Sequence, residues 1–229
     1  MRRSLAARRR FLLLLLAACI PSAGAMVSCS NDPCSVPTCP TVKPIYSNTF
    51  EAAVGAEWSN AERNTAPNGR VFLGRFSGNQ ASSLTLVGLP SHKALTLTVR
   101  LYTIQSWDGN TGPDDFYVLA GGNPLLHTTF SNVTTVQSYP DQYLAGTHAA
   151  RTGASEVDSL GYVPWGDATY DLAFTFPHSE SSIVINFQGY LREGGGWGGV
   201  ENESWGIDDI YVWAGPGNFP PPHTILLGP

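Results

Sequence analysis

The sequence has little cysteine, little basic charge outside its first residues, and little sustained hydrophobicity. All four cysteines lie within the first 39 positions, so the rest of the chain must fold without disulfide bonds. The apolar run near the N-terminus, 11–18, is too short to cross about 30 Å of hydrocarbon as a helix. The motifs of serine hydrolases, zinc proteases, P-loop proteins and dinucleotide-binding enzymes are also absent. These absences predict a protein that is not an enzyme.

A glycan hydrolase is the catalytic alternative that the sequence leaves open. Glu193, Glu201 and Glu203 could supply the two carboxylates of a glycosidase. They lie in the Gly-rich segment 192–203, which is a poor support for groups that must be held within about 0.5 Å. We therefore expect a binding or structural protein.

Basic residues are concentrated at the start of the chain. Residues 1–25 hold five of the 13 Lys and Arg and none of the 18 Asp and Glu, so residues 26–229 carry 8 basic and 18 acidic side chains, a formal charge of −10. This balance argues against nucleic acid or an anionic membrane surface as a partner, and it is compatible with cation binding.

Residues 1–25 have the layout of an export signal, with arginines, an apolar run and small residues at the end. The segment resembles a bacterial twin-arginine signal. Residues 16–19, Leu-Ala-Ala-Cys, resemble a lipobox, in which Cys19 would be lipidated, whereas Ala25 suits ordinary signal peptidase. Both processing routes stay open. The sequence predicts a periplasmic, outer-surface or extracellular protein that meets the membrane only through a lipid anchor.

Residues 26–44 form a Cys- and Pro-rich tether in this interpretation. Cys29, Cys34 and Cys39 recur every five residues, and an odd number of thiols permits one disulfide at most. We expect the folded domain to span 45–214. The tail 215–229 contains three consecutive prolines, which favours an extended segment.

Alternation of apolar and polar residues predicts β-strands across 45–214. The clearest run has Leu95, Leu97, Val99 and Leu101 on one face. With numerous Gly and Pro between such runs, the pattern predicts an all-β fold, a two-sheet antiparallel jelly-roll sandwich of about nine to ten strands. Long loops are expected at 131–168 and 192–203. Strands are expected at 69–76, 82–87, 95–101, 115–120, 124–130, 170–176, 183–187 and 207–213.

The last of these strands carries an acidic residue in an unusual position. Asp208 shares its alternation phase with Ile210 and Val212, while Asp209 has the opposite phase. If Ile210 and Val212 face the core, Asp208 should face it too. A carboxylate there is costly without a partner, and we expect a hard cation with oxygen ligands, calcium before magnesium, because flexible, carbonyl-rich loops suit calcium better.

Three segments of the chain resemble a known group of domains. The segments "NTFEAAVGAEW", "LTLTVRLYTIQSWDGN" and "ESWGIDDIYV" are similar to the first, middle and last strands of lectin-like jelly rolls, including MAM domains and carbohydrate-binding modules. The chain also resembles an uncharacterised domain of secreted bacterial proteins. The resemblance implies a structural calcium where the first and last strands meet, held by Glu51 and Asp208. Asp108, in a neighbouring loop, is the third predicted ligand.

Loops 106–115 and 192–203 are the expected ligand-contacting surfaces. Trp107, Asn110 and Asp114 in the first loop and Trp197 in the second are predicted to bind a ligand, since a flat ring can stack on a sugar and polar groups can bind its hydroxyls. Trp165 and Trp205 also lie in or beside loops. The Asp, Asn and Gly residues of 106–115 are equally typical of a plain turn.

Two non-catalytic functions remain open from the sequence alone. In the first, the chain is a binding module that contacts glycan or another surface ligand and is stabilised by calcium. In the second, it is a structural or assembly lipoprotein of the bacterial cell envelope that contacts only other proteins. A loss of glycan binding on replacement of Trp197 would favour the first.

Overall fold

A computed structural model describes residues 43–192 and 199–215. Within these ranges the chain forms eleven strands and one short 3-10 turn, Gly199–Glu201. The strands build two antiparallel sheets, as the alternation predicts. The strands are β1 (Tyr46–Asn48), β2 (Arg63–Thr65), β3 (Val71–Phe76), β4 (Ala81–Val87), β5 (Ala94–Gln105), β6 (Asp115–Ala120), β7 (Asn123–Thr129), β8 (Glu156–Val157), β9 (Asp167–Pro177), β10 (Ser182–Tyr190) and β11 (Glu203–Ala214).

The chain passes repeatedly from one sheet to the other. The seven-stranded sheet has the order β2-β3-β11-β5-β9-β8, with β1 paired to β11, and the four-stranded sheet has the order β4-β10-β6-β7. Because β3, β5, β9 and β11 alternate in sequence with strands of the other sheet, the connections cross between layers as in a jelly roll. The eight predicted strands are confirmed. The additional β1, β2 and β8 are only two or three residues long, too short to show alternation.

The main core lies between the two sheets. The inward residues of β5 predicted from the alternation, Leu95 to Leu101, all belong to it. Its largest members include Trp107, Trp205, Phe116 and Phe187, all with no exposed surface. Apolar burial at about 25 cal/mol per Å² makes this core the main source of stability, which agrees with the absence of cysteine from this part of the chain.

Gly206 in the segment "ESWGID" is required by close packing. A Cβ at this position would lie 2.3 Å from the ring of Phe72 and 2.9 Å from the carbonyl oxygen of Leu73. A larger residue would therefore push β3 away from β11, with which it pairs at this point.

The prediction that Asp208 faces the main core is wrong. Asp208 pairs with Arg100 of β5, which alternates with the inward Val99 and Leu101 and therefore lies on the outer face. Between Asp208 and Tyr211 the register with β5 shifts, and Asp209 has a positive φ of 47°. This β-bulge reverses the phase, so Ile207 and Ile210 point inward on either side of an outward Asp208.

The two outer sheet faces differ in their covering. Over the seven-stranded sheet, a second cluster packs Leu160 and Tyr162 from the loop before β9 onto Phe72, Tyr102 and Ile104. The outer face of the four-stranded sheet, here called the open face, instead forms a groove of about 1020 Å³. Its rim includes Val87 and Val184, which are 77% and 46% exposed.

Several predicted segments lie outside the described residues. These are the export signal 1–25 with Cys19, most of the tether with Cys29, Cys34 and Cys39, Trp197, and the tail beyond Gly215. Among the residues that are described, no helix is long and apolar enough to span a membrane.

Candidate functional site

The three predicted metal ligands do not come together. Asp108 lies beside Glu203, whereas Asp208 lies five residues further along the same strand, a separation of roughly 16 Å at about 3.3 Å per residue. Asp108 and Asp208 therefore cannot share an ion. Glu51 is exposed next to the buried Phe50 and takes no part in the group that does converge.

A different acidic cluster forms at the end of the sandwich. Asp108, Asp114 and Glu203 each place a carboxylate oxygen within 4.8 Å of the others. Asp114 has no exposed surface, Glu203 is 2% exposed and Asp108 is partly buried. The loop after β5 supplies the two aspartates, and the first residue of β11 supplies Glu203. We call these three residues the acidic cluster.

Main-chain groups hold Asp114 in place. The amide of Asp108 donates to Asp114 Oδ2 at 2.5 Å, and the amide of Arg192 donates to Asp114 Oδ1 at 2.9 Å. Burial nevertheless raises the pKa of Asp114 to about 6, and the negative charge of Asp108 adds to that increase. The acidic cluster is thus a place where negative charge is costly and a positive ion would be stabilising.

The donor set of the acidic cluster fits calcium. All three side chains offer hard oxygen ligands, and oxygens within 4.8 Å of one another can all reach an ion at about 2.3–2.6 Å. Zinc and copper prefer nitrogen or sulfur donors. Asp108, Asp114 and Glu203 are therefore the described residues that could hold such an ion, between the loop after β5 and the start of β11.

Asp208 has a separate environment on the outer face. Its Oδ2 accepts a hydrogen bond of 2.9 Å from the Tyr102 hydroxyl, and its Oδ1 accepts one of 2.8 Å from the amide of Asp209. Burial, followed by the charge of Asp209, raises the pKa of Asp208 to about 6, although the two hydrogen bonds oppose this shift. Asp208 is an acid that the fold makes easier to protonate.

This shift predicts a pH-dependent effect of Asp208→Asn. Because the pKa is about 6 in the folded chain and about 3.9 in the unfolded chain, the wild-type contribution is most favourable below about pH 4 and is lost as the pH rises through 6. Asparagine does not titrate, so the variant does not lose this stability. The free energy of unfolding of the variant minus that of wild type should therefore rise by about 2–3 kcal/mol between pH 4 and pH 7. Urea unfolding of both proteins in EDTA measures the difference, and a constant difference would contradict the assignment.

The ligand-binding residues predicted in loop 106–115 point inward. Trp107 has no exposed surface, and its indole N–H donates to the carbonyl of Ser204 at 2.8 Å. The Asn110 amide donates to the Gly146 carbonyl at 2.9 Å and its oxygen accepts from the hydroxyls of Thr129 and Ser138. Trp107 and Asp114 are therefore buried, while Asn110 is partly exposed and joins loop segments through its side-chain amide.

Trp165 is the exposed tryptophan of the described ranges. Trp165 is 51% exposed, whereas the other four tryptophans of the described ranges are between 0% and 8% exposed. It borders a hollow of about 350 Å³ together with Arg151, Asp158, Tyr162 and Val163. This volume is near the lower end of ligand pockets, about 300–1,000 Å³. We call this place the Trp165 hollow.

Charged side chains form one wall of the Trp165 hollow. Arg151 binds Asp158 through both terminal nitrogens at 3.1 Å, and its Nη2 also donates to the carbonyl of Trp165 at 2.9 Å. Gly166 is needed beside them because a Cβ there would lie 1.9 Å from Asp158 Oδ1. The result is a fixed planar guanidinium and a carboxylate next to an exposed indole.

A buried carboxylate supports the loop that carries Trp165. Asp167, with no exposed surface, accepts hydrogen bonds from the amides of Leu160 at 3.0 Å and Tyr162 at 3.3 Å. The side chain of Gln105 donates to the Val163 carbonyl at 2.7 Å. The loop is thus tied to the ends of β5 and β9, and Trp165 is presented on a supported segment.

Sequence reasoning missed two of these residues for different reasons. Glu203 was assigned only to a hydrolase alternative, because nothing in the sequence shows that β11 begins beside the loop after β5. Trp165 was recognised as a loop tryptophan, but the glycines around Trp197 gave the stronger signal for exposure. The segment "VPWGD", with Pro and Gly on both sides of the indole, carries a comparable signal.

Comparison with known proteins gives matches in structure only. No protein-family profile matches the chain, and no curated protein matches it in sequence. A family 35 carbohydrate-binding module from Clostridium thermocellum has 11% identity and a TM-score of 0.36, with 74% of this chain and 97% of the module covered. PorU from Porphyromonas gingivalis has 11% identity and a TM-score of 0.41, with 76% and 14% covered.

An exo-β-1,3-galactanase from Phanerochaete chrysosporium is a third similar structure. Its identity is 12% and its TM-score 0.33, with 75% of this chain and 29% of the galactanase covered. This chain therefore corresponds to a small part of PorU and of the galactanase, and to nearly all of the bacterial module. At such low identity and TM-score, no property of these proteins transfers to the chain.

Proposed function

We propose that the chain is a non-catalytic, exported glycan-binding module that contacts its ligand through the Trp165 hollow and is stabilised by calcium in the acidic cluster. The single observation that carries the proposal is the exposed indole beside the Arg151–Asp158 pair. An indole offers a flat apolar surface, and the paired charges offer hydrogen bonds in fixed directions. A sugar ring presents both kinds of surface, an apolar face and a rim of hydroxyls.

The position of the Trp165 hollow revises the expected contact surface. Glycan contact was predicted at loops 106–115 and 192–203; in the first loop Trp107 and Asp114 are buried and Asn110 is partly exposed, and Trp197 of the second loop lies outside the described residues. The loop 106–115 has a supporting role here, since Asp108 and Asp114 belong to the acidic cluster. The contact residues come instead from the long connection before β9.

The described histidines do not form the pair of a nucleophile and its general base. His127 and His148 donate to Asp115 and Asp141 at 3.0 and 2.8 Å, and His92 and His178 lie against each other. In the described ranges none of these hydrogen bonds joins a histidine to a serine hydroxyl, as a nucleophile and its base would be joined.

Binding to a glycan array tests the proposed function directly. The full chain, in buffer with calcium, should bind at least one class of glycan on the array, and an excess of the same soluble glycan should compete. Binding that appears on no glycan at high protein concentration would contradict the proposal.

Calcium removal is expected to destabilise the folded domain. An ion present at about 100 times its Kd stabilises a protein by about 2.7 kcal/mol, so chelation should lower the melting temperature by about 5–10 °C. Calorimetry in EDTA and in excess calcium measures the change. Asp114→Asn should melt at the same temperature in both buffers, because it removes a buried ligand.

Asp141→Asn is the matched control for the calcium experiment. Asp141 is also a loop aspartate, but its side chain is 54% exposed and pairs with His148. This variant should keep the full response to calcium. A wild-type melting temperature that is equal in EDTA and in calcium would remove the ion from the proposed function and leave the glycan surface to be judged by itself.

The alternative, an envelope protein that contacts only other proteins, is favoured by one observation. The open face is a broad groove with exposed Val87 and Val184 on its rim, and exposed apolar surface of this kind is typical of interaction sites. Loss of partner capture on replacement of Val184 by aspartate, with no glycan bound on the array, would support this alternative.

A further inference from the structure

Two histidines from distant parts of the chain meet beside the groove of the open face. His92 lies in the connection between β4 and β5, and His178 directly follows β9. The Nε2 atom of His92 is 2.7 Å from the Nδ1 atom of His178. The ring centroids are 5.0 Å apart and the ring planes differ by 15°. The two nitrogens therefore face each other.

The main chain fixes which nitrogen of His92 carries a proton. The Nδ1 atom of His92 lies 2.6 Å from the carbonyl oxygen of Pro90, and a carbonyl can only accept a hydrogen bond. Nδ1 must therefore be the N–H, and in the neutral ring Nε2 holds a lone pair directed at His178. An imidazole whose other N–H donates to a backbone carbonyl is the usual arrangement of a metal-ligating histidine.

The two histidine-bearing segments are tied together by their backbones. The amide of His178 donates to the carbonyl of Lys93 at 3.2 Å, and the amide of Leu89 donates to the carbonyl of Ser181 at 2.9 Å. These hydrogen bonds hold the two segments that carry the rings in position in the absence of a ligand. Preorganisation of this kind lowers the cost of binding.

Replacing the proton between the rings by a metal ion requires little movement. An ion at about 2.0–2.1 Å from each nitrogen, with tetrahedral geometry, needs the nitrogens about 3.3 Å apart. The distance between the two nitrogens, 2.7 Å, must therefore increase by about 0.6 Å. Both rings are half-buried, so water can complete the coordination. His178 also lines the groove of the open face, so the site is reached from that groove.

We propose that His92 and His178 form a binding site for a divalent transition-metal ion of the zinc or copper class. Two imidazole nitrogens suit these ions and do not suit calcium. The site is separate from the acidic cluster in both position and donor type. Bound metal would link the β4–β5 connection to the turn between β9 and β10 at one end of the groove. The proposal does not depend on glycan binding.

Zinc titration calorimetry of the full chain tests the proposal. The cysteines are first alkylated so that thiolates do not compete, and excess calcium is present to occupy the acidic cluster. Wild type should bind one equivalent of zinc. His92→Gln and His178→Gln should each weaken this binding about tenfold or more. His148→Gln, a half-exposed histidine paired with Asp141, is the matched control and should bind as wild type does.

A spectroscopic measurement separates loss of a ligand from loss of folding. The electron paramagnetic resonance spectrum of the wild-type chain with one equivalent of Cu²⁺ should show coupling to two imidazole nitrogens. The melting temperatures of both glutamine variants establish that they are folded. Unchanged zinc affinity in either variant, or coupling to fewer than two nitrogens in wild type, would overturn the proposal.

Discussion

Replacing Trp165 by alanine is expected to abolish or strongly weaken glycan binding while leaving the fold intact. The indole is 51% exposed at the edge of a concave surface, so its removal takes away the apolar platform without opening a cavity in the core. Anchor tryptophans of binding sites commonly contribute at least about 2 kcal/mol. The affinity for the best glycan of the array should therefore fall about 30-fold or more.

Two variants make the Trp165 result specific. Trp165→Phe should retain part of the affinity because a smaller ring can still stack. Val87→Ala removes an exposed apolar side chain of the open face, where Val87 is 77% exposed, and should bind as wild type does. If Val87→Ala loses binding and Trp165→Ala keeps it, the glycan site lies on the open face and the Trp165 hollow is wrong.

Replacing Arg100 by methionine is expected to cause the largest loss of stability among these variants. Arg100 donates from Nε to Asp171 at 2.8 Å and from Nη1 to Asp209 at 3.0 Å. The side chains of Arg100 and Asp171 are only 10% and 12% exposed. Burial lowers the pKa of the guanidinium, but the bonds to Asp171 and the nearby charges outweigh it and the net shift is upward.

The physical reason for the loss is the pair of carboxylates left behind. Methionine can fill the space of the arginine stem, but Asp171 and Asp209 would then lie near each other with no cation between them. Removing one partner of a buried ion pair costs about 3–5 kcal/mol, which corresponds to a melting temperature about 10 °C lower or more. Urea unfolding or calorimetry measures the change.

Arg70→Met is the matched control for Arg100→Met. Arg70 also lies on the outer face of the seven-stranded sheet, where it pairs with Glu156 at 3.4 Å, but these side chains are 30% and 36% exposed. A pair of this exposure contributes about 1 kcal/mol or less. Equal losses of unfolding free energy in the two variants would show that the ion pairs of Arg100 with Asp171 and Asp209 stabilise the fold no more than an exposed pair does.

Only part of the candidate site could be recognised from the sequence, because sequence patterns report on neighbouring residues and not on distant ones. Asp108 was predicted as a metal ligand and Asp114 as a ligand-binding residue, and the structure places their carboxylates in one cluster. Their third partner, Glu203, comes from a strand almost 90 residues later along the sequence, and its proximity depends on the pairing of β11 with β5. Asp208 was misplaced because a β-bulge leaves no reliable signal in alternation.

The eight longer strands and the two-sheet sandwich can be predicted from the sequence. Period-two alternation indicates which residues of β5, β9 and β10 face the main core, and this pattern is local, so it can be recognised from the sequence. Whether a loop side chain is buried, as Trp107 is, or exposed, as Trp165 is, depends on the tertiary structure. Loops have no repeating pattern, and their exposure depends on which distant segments cover them. The meetings of Asp108 with Glu203 and of His92 with His178 arise in the same way, since strand pairing joins residues that the sequence keeps far apart.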